Sequence, residues 1–233
     1  MNPEYDSLNQ NPVSVLIDCR TVVEKSDFVS TGILTFIEGD LIEIEIGDYK
    51  AYQLGDPVKV KVYSPIGIHH FSSSVIAIDE GAIIVLNPPE HQKKFIDRRA
   101  YPRVDADCKG EILSAVSLQT RKEEILPSPV RVFVRNISIG GMGFYLPKGD
   151  DTPELELETL VNMKVDINGN LSCSGKIVRK DSQDEGFLFG LQYMNIDPVR
   201  MNSLRAFVLR AQVQLRLKGR KQNEAATAPR KFK

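Results

Sequence analysis

Val130-Arg131-Val132-Phe133-Val134-Arg135-Asn136-Ile137 runs directly into Ser138-Ile139-Gly140-Gly141. Val130, Val132 and Val134 fall on one side of an extended chain, and Arg131 and Arg135 on the other, which is the period of a half-buried strand. Asn136, Ser138 and the two glycines then supply turn chemistry. Met142 to Leu146 resumes a strand.

The pattern extends in both directions. Upstream, Val104 to Val116 reads as a strand, with Val104, Ala106 and Cys108 opposite Asp105 and Asp107. Between the two lies Arg121 to Pro129, polar and proline-marked, which predicts a loop or an irregular hairpin. Downstream, Pro147 to Pro153 reads as a loop. Leu160 to Ile167, Leu171 to Lys180 and Gly186 to Met194 complete a β-rich segment. Asn168-Gly169-Asn170 carries the dipeptide of tight hairpins, and Asp181 to Gly186 reads as a polar hairpin loop. From Pro198 to about Lys218 the period becomes helical. Val199, Leu204, Phe207, Val208, Ala211, Leu215 and Leu217 form the apolar stripe, and Arg200, Arg205, Arg210 and Arg216 occupy much of the rest. Residues 219–233 are small and charged without an apolar period, which predicts a disordered, solvated basic tail.

The first half is β-rich as well. Thr31 to Ile37, Leu41 to Ile46, Val58 to Tyr63, Ser73 to Ile78 and Ala82 to Leu86 read as short strands separated by Glu38-Gly39-Asp40 and Asp79-Glu80-Gly81. Short, evenly punctuated strands predict a small barrel or sandwich. Glu43 and Glu45 alternate with isoleucines, so they read as a solvated strand face rather than paired catalytic carboxylates. His69 and His70 are adjacent and in a strand point to opposite faces, which suits a surface pair near a turn and not one metal. Asn87-Pro88-Pro89-Glu90 ends the pattern, because two prolines cannot continue a central strand. The organisation read from this is a β-domain over 1–92, a linker over 93–103, a second β-domain over 104–218 and the tail over 219–233.

Composition excludes several classes. The chain has 233 residues, 26% charged, with a formal net charge of −1. It therefore has no global field to attract polyanions or acidic lipid, and any anion site must be a local cluster. Cys19, Cys108 and Cys173 are widely spaced without a CxxC pair, which argues for reduced thiols rather than zinc or a disulfide framework. The N-terminal ten residues lack the apolar core of a signal peptide. No apolar run approaches the roughly 20 residues of a membrane span. The expectation is a cytoplasmic protein without membrane insertion.

One local cluster exists. Lys93-Lys94-Phe95-Ile96-Asp97-Arg98-Arg99-Ala100-Tyr101-Pro102-Arg103 concentrates five cations in the linker. Guanidinium groups grip phosphate oxygens bidentately, pair with guanine O6 and N7, and stack on bases. Pro102 biases Tyr101 to extended backbone, so Arg99 and Arg103 can wrap one ligand. Asn136 offers an acceptor and donors to a guanine edge or a sugar. Ser138 can bond a phosphate or hold the turn. Gly140 and Gly141 admit positive φ and let a ligand approach the backbone. These groups together describe a purine–phosphate site.

Arg99-xxx-Arg103 followed by Asn136-x-Ser138-xx-Gly141 resembles the two motifs of a PilZ domain, over roughly Lys94 to Lys218. Asn136 stands where the family more often has Asp. The preceding β-domain is similar, by domain order, to that of YcgR-type flagellar brakes. The resemblance implies two small β-barrels in tandem, the second a six-stranded antiparallel barrel followed by a C-terminal helix. It implies a binding protein for cyclic di-GMP, with no catalytic residues, metal or cofactor beyond that ligand. Arg98, Arg99, Arg103, Asn136, Ser138 and Gly141 become its site, with Arg98 stacking on a base or helping to hold a second ligand molecule. Lys93 and Lys94 add charge without a motif role. It further implies that the ligand orders the linker, changes the interdomain arrangement and regulates a protein partner such as a flagellar motor component. The process would be motility, biofilm formation or the motile-to-sessile switch.

Two rival classes are open to test. An enzyme on phosphoesters would need a P-loop, metal-ligand spacing or nucleophile elbow, and none is present. A ligand-independent protein- or RNA-interaction module would for RNA use aromatic platforms, whereas aromatic content is 7% with no Trp.

Overall fold

A computed structural model describes residues 14–26, 28–88, 101–117, 123–149, 153, 155–167 and 169–227. The chain divides into two compact units, one of residues 1–99 with 212–233 and one of residues 100–211.

The first unit holds a closed antiparallel barrel of six strands: β1 (Arg20–Lys25), β2 (Phe28–Glu38), β3 (Leu41–Ile46), β4 (Pro57–Ser64), β5 (Gly67–Asp79) and β6 (Ala82–Leu86). Their order around the barrel is β1-β2-β3-β6-β5-β4. The inward residues are mostly β-branched and fill the lumen, among them Val23, Leu34, Ile44, Val60, Val75 and Ile83. β1 is absent from the strands read in the sequence. It is short, yet it closes the ring by pairing with β2 and β4.

The second unit holds β7 (Val104–Val116), β8 (Glu123–Ile137), β9 (Gly141–Pro147), β10 (Leu160–Asp166), β11 (Asn170–Gln183) and β12 (Gly186–Asn195). They close as β10-β11-β12-β9-β8-β7, again all antiparallel. Phe144 and Phe189 stack with centroids 5.4 Å apart in its core. Two six-stranded barrels and a following helix match the expected fold class.

Of the two readings of the proline-marked segment before Val130, the irregular hairpin is the one found: it is strand from Glu123 onward and pairs with β7. The ladder jumps from Ile112↔Val130 to Ser114↔Ile125, so Pro127 and Pro129 fall in the irregularity, where no ladder amide is needed.

The helix α1 (Pro198–Thr227) starts at Asp197, whose Oδ1 accepts from the amides of Val199 at 2.9 Å and Arg200 at 3.4 Å. Leu204 and Val208 are buried in the second barrel's core, and Met201, Phe207 and Ala211 pack against it. Val199 and Leu215, assigned above to the apolar stripe, are exposed. The helix also continues nine residues beyond the expected end at Lys218. A mid-helix glycine such as Gly219 costs about 1 kcal/mol relative to Ala. Side chains of the second half offset that cost within the first unit. Gln212 Nε2 donates to Asp40 Oδ2 at 2.8 Å, and Arg216 donates to both carboxylate oxygens of Glu43 at 2.8 Å each. Residues 228–233 of the expected tail lie outside the described residues.

Glu43 is therefore not on a solvated face. It is 2% exposed, whereas Glu45 two residues on is exposed. Thr35 Oγ1 donates to it at 2.9 Å, and Arg220 lies 3.3 Å from it. Burial pushes its carboxyl up, but the hydrogen bonds from Arg216 and Thr35 and the two guanidinium charges hold it below the usual carboxylate range. Arg216 also lies 4.1 Å from the centroid of the Phe36 ring.

Candidate nucleotide site

The turn between β8 and β9 is built from its own side chains. The Ser138 amide donates to the Gly141 carbonyl at 2.8 Å, and its Oγ donates to the same oxygen at 3.1 Å. The Gly140 amide donates back to Ser138 Oγ at 3.3 Å. Ser138 is 4% exposed. It clasps the turn, and its one hydroxyl proton is committed there.

The adjoining glycines are required sterically. Neither Gly140 nor Gly141 has positive φ, contrary to the expectation from sequence. A Cβ on Gly141 would lie 2.2 Å from the Leu191 carbonyl oxygen, and one on Gly140 would lie 2.5 Å from the Tyr101 ring. The Gly140 carbonyl accepts from the Tyr193 amide at 3.1 Å. Tyr193 itself is a buried phenol, and burial raises its pKa far above the usual range. Its hydroxyl has no hydrogen-bond partner among the described residues.

Asn136 lies between Asp105 of β7 and Gly143 of β9. Its Oδ1 is buried and accepts no hydrogen bond among the described residues. Leaving such an acceptor unsatisfied costs about 1–3 kcal/mol. Arg103 is exposed immediately before Val104, which pairs with Ile137. Continuing that register sets the Arg103 backbone opposite Ser138. Arg103, Asn136, Ser138 and Gly141 are thus brought to one end of the second barrel, around the β8–β9 turn. Tyr101 and Gly143 also belong to this neighbourhood and were not among the expected site residues. The motif spacing points to Gly141 and gives no reason to look two residues further. Lys93, Lys94, Arg98 and Arg99 lie outside the described residues.

A shallow hollow elsewhere on this barrel is lined by Tyr145, Gln183, Asp184 and Glu185. Its two carboxylates disfavour an anionic ligand. Among the described residues no three His, Cys, Asp or Glu side chains gather as a metal site would require. No described helix is long and apolar enough to cross a membrane.

Residues 97–210 match the family model of the PilZ domain. This matched stretch contains both motifs and most of the second unit. No curated protein matches the chain. Among solved structures it is similar to the Bacillus subtilis inhibitor of motility MotI/DgrA, at 19% identity and a TM-score of 0.40, covering 85% of this chain and 97% of that one. It is also similar to Escherichia coli YcgR in complex with c-di-GMP, at 16% identity and a TM-score of 0.40, covering 88% of each chain. A third is the PilZ domain of YcgR from Escherichia coli with c-di-GMP, at 20% identity and a TM-score of 0.38, covering 54% of this chain and 99% of that one.

Proposed function

We propose that this protein is a cytoplasmic receptor for cyclic di-GMP that binds the nucleotide without turning it over. The observation that carries this reading is the buried, unpartnered Asn136 Oδ1 inside a PilZ motif. A guanine edge presents N–H donors that would satisfy it, and Arg98, Arg99 and Arg103 supply cations for base and phosphate. Ser138 and Gly141 shape the turn on which the ligand rests. Binding then changes the relation between the N-terminal barrel and the PilZ domain and regulates a protein partner, in motility or the motile-to-sessile switch.

Calorimetric titration with cyclic di-GMP, with GTP and cyclic di-AMP as controls, tests the reading. Selective binding is expected. Arg99→Ala and Arg103→Ala should each weaken it by about 30-fold or more, the equivalent of roughly 2 kcal/mol for a charge-assisted contact. Unchanged affinity in Arg103→Ala would remove that residue from the site. No binding by the unaltered protein would favour the ligand-independent interaction module.

A further inference from the structure

We propose that Gly143 is a positioning residue of the nucleotide site, setting the orientation of the Asn136 amide; the binding consequence rests on the receptor reading above. Gly143 pairs with Asn136 across β8 and β9. A Cβ built on Gly143 would stand 2.9 Å from Asn136 Nδ2, 3.0 Å from Oδ1 and 3.2 Å from Cγ. The nitrogen and oxygen are nearer than Cγ, so it is the polar end of the amide that occupies the space a side chain at position 143 would need. These are also the three nearest atoms to that Cβ, so the side chain at position 143 is missing just where the amide rests. The buried Oδ1 belongs to the same group. Its orientation decides whether a ligand donor meets an acceptor or the amide's own N–H.

The neighbouring glycines differ in what a methyl group would displace. At Gly141 the obstacle is the Leu191 backbone, which cannot move without disturbing the β9–β12 ladder. At Gly143 the obstacle is the end of one side chain, which can rotate away. Gly143 also has no positive φ, so alanine is conformationally acceptable there. Gly143→Ala should therefore fold and yet turn the Asn136 amide out of place. The glycine acts through Asn136 and touches no ligand itself.

The test is a double-mutant cycle on the full chain, read by thermal unfolding, by cyclic di-GMP calorimetry and by the Asn136 side-chain amide signals in a nitrogen–proton correlation spectrum. Those signals are assigned by their disappearance in Asn136→Ala. In Gly143→Ala we expect a midpoint within about 5 °C of the unaltered protein and displaced Asn136 signals. Affinity should fall about tenfold or more, as for loss of one hydrogen-bonding group. Asn136→Ala should lose a similar factor, and the double variant should be no weaker than Asn136→Ala, because the methyl group then has no amide to strike. Unmoved Asn136 signals in Gly143→Ala, or a double variant that multiplies the two losses, would overturn the proposal. If the unaltered protein binds no cyclic di-GMP, the receptor reading fails together with the binding half of this proposal. The amide signals need no ligand and still decide the geometric half.

Discussion

At Gly141 a Cβ would collide with the Leu191 carbonyl oxygen at 2.2 Å, and both partners are backbone in paired strands. Gly141→Ala should consequently destabilise the second barrel by about 2–4 kcal/mol, as overpacking against a backbone does. Urea denaturation measures this, and a loss below about 1 kcal/mol would show that β9 and β12 separate easily. A family motif would have labelled this glycine a ligand residue. Its first duty is to let two strands approach. Ser138 is similar, since its hydroxyl holds the turn through Gly140 and Gly141. Asn136 is the motif residue whose acceptor has no duty within the described fold. The motif was legible in the sequence because turn chemistry and ligand chemistry use the same residue types. Which residue does which was not legible, since that depends on what lies across the strands.

The element that departed furthest from its sequence reading is α1. Residues 219–233 carry no apolar period, so a helix ending near Lys218 followed from the sequence pattern. The observed extension is held by Gln212, Arg216 and Arg220, spaced four residues apart on one face. Arg220 Nη2 also donates to the Glu80 carbonyl at 2.6 Å. Glu43→Ala would leave two largely buried guanidinium groups without their shared carboxylate. It should cost about 3 kcal/mol, the lower end for a broken buried pair because the arginines keep some water contact. Hydrogen exchange should accelerate from Gln212 onward, and unchanged protection there would refute the anchoring role. The pH dependence has a definite sign. The folded-state pKa of Glu43 is lowered, so its contribution is complete above the unfolded value of about 4.3 and is lost as pH falls through the folded value. Stability curves of the unaltered protein and Glu43→Ala should accordingly converge in acid.

At the scale of the whole molecule, the two barrels share one topology. In each the strands run first-second-third-sixth-fifth-fourth around the ring. The β8–β9 turn of the second barrel corresponds in this order to the β2–β3 turn of the first. There the connection is Gly39-Asp40, with Gly39 at φ 56° and its carbonyl accepting from Asn87 Nδ2 at 2.9 Å. The Asp40 amide donates to Gln212 Oε1 at 3.1 Å. The same place in the fold is thus filled by internal contacts in one barrel and carries the Asn-Ser-Gly motif in the other. Each unit also has a separate core. A fragment of residues 100–211 keeps Leu204 and Val208 in its core and should unfold cooperatively by itself, which circular dichroism during heating will show. A featureless melt would mean that the PilZ unit depends on the rest of the chain.

Strand alternation, turn residues and the change of period after Pro198 determined the two β-domains and the helix. They did so because burial of one strand face or one helix stripe is written locally in the order of residues. The PilZ motifs were likewise contiguous enough to read. The sequence could not determine that Glu43 is buried against arginines some 170 positions away, that a Cβ on Gly141 would meet the Leu191 backbone, or that one on Gly143 would meet the Asn136 amide. Those facts depend on which segments meet when the barrels close. Such pairings are decided by packing across strands and along α1, and no local pattern of residues records them.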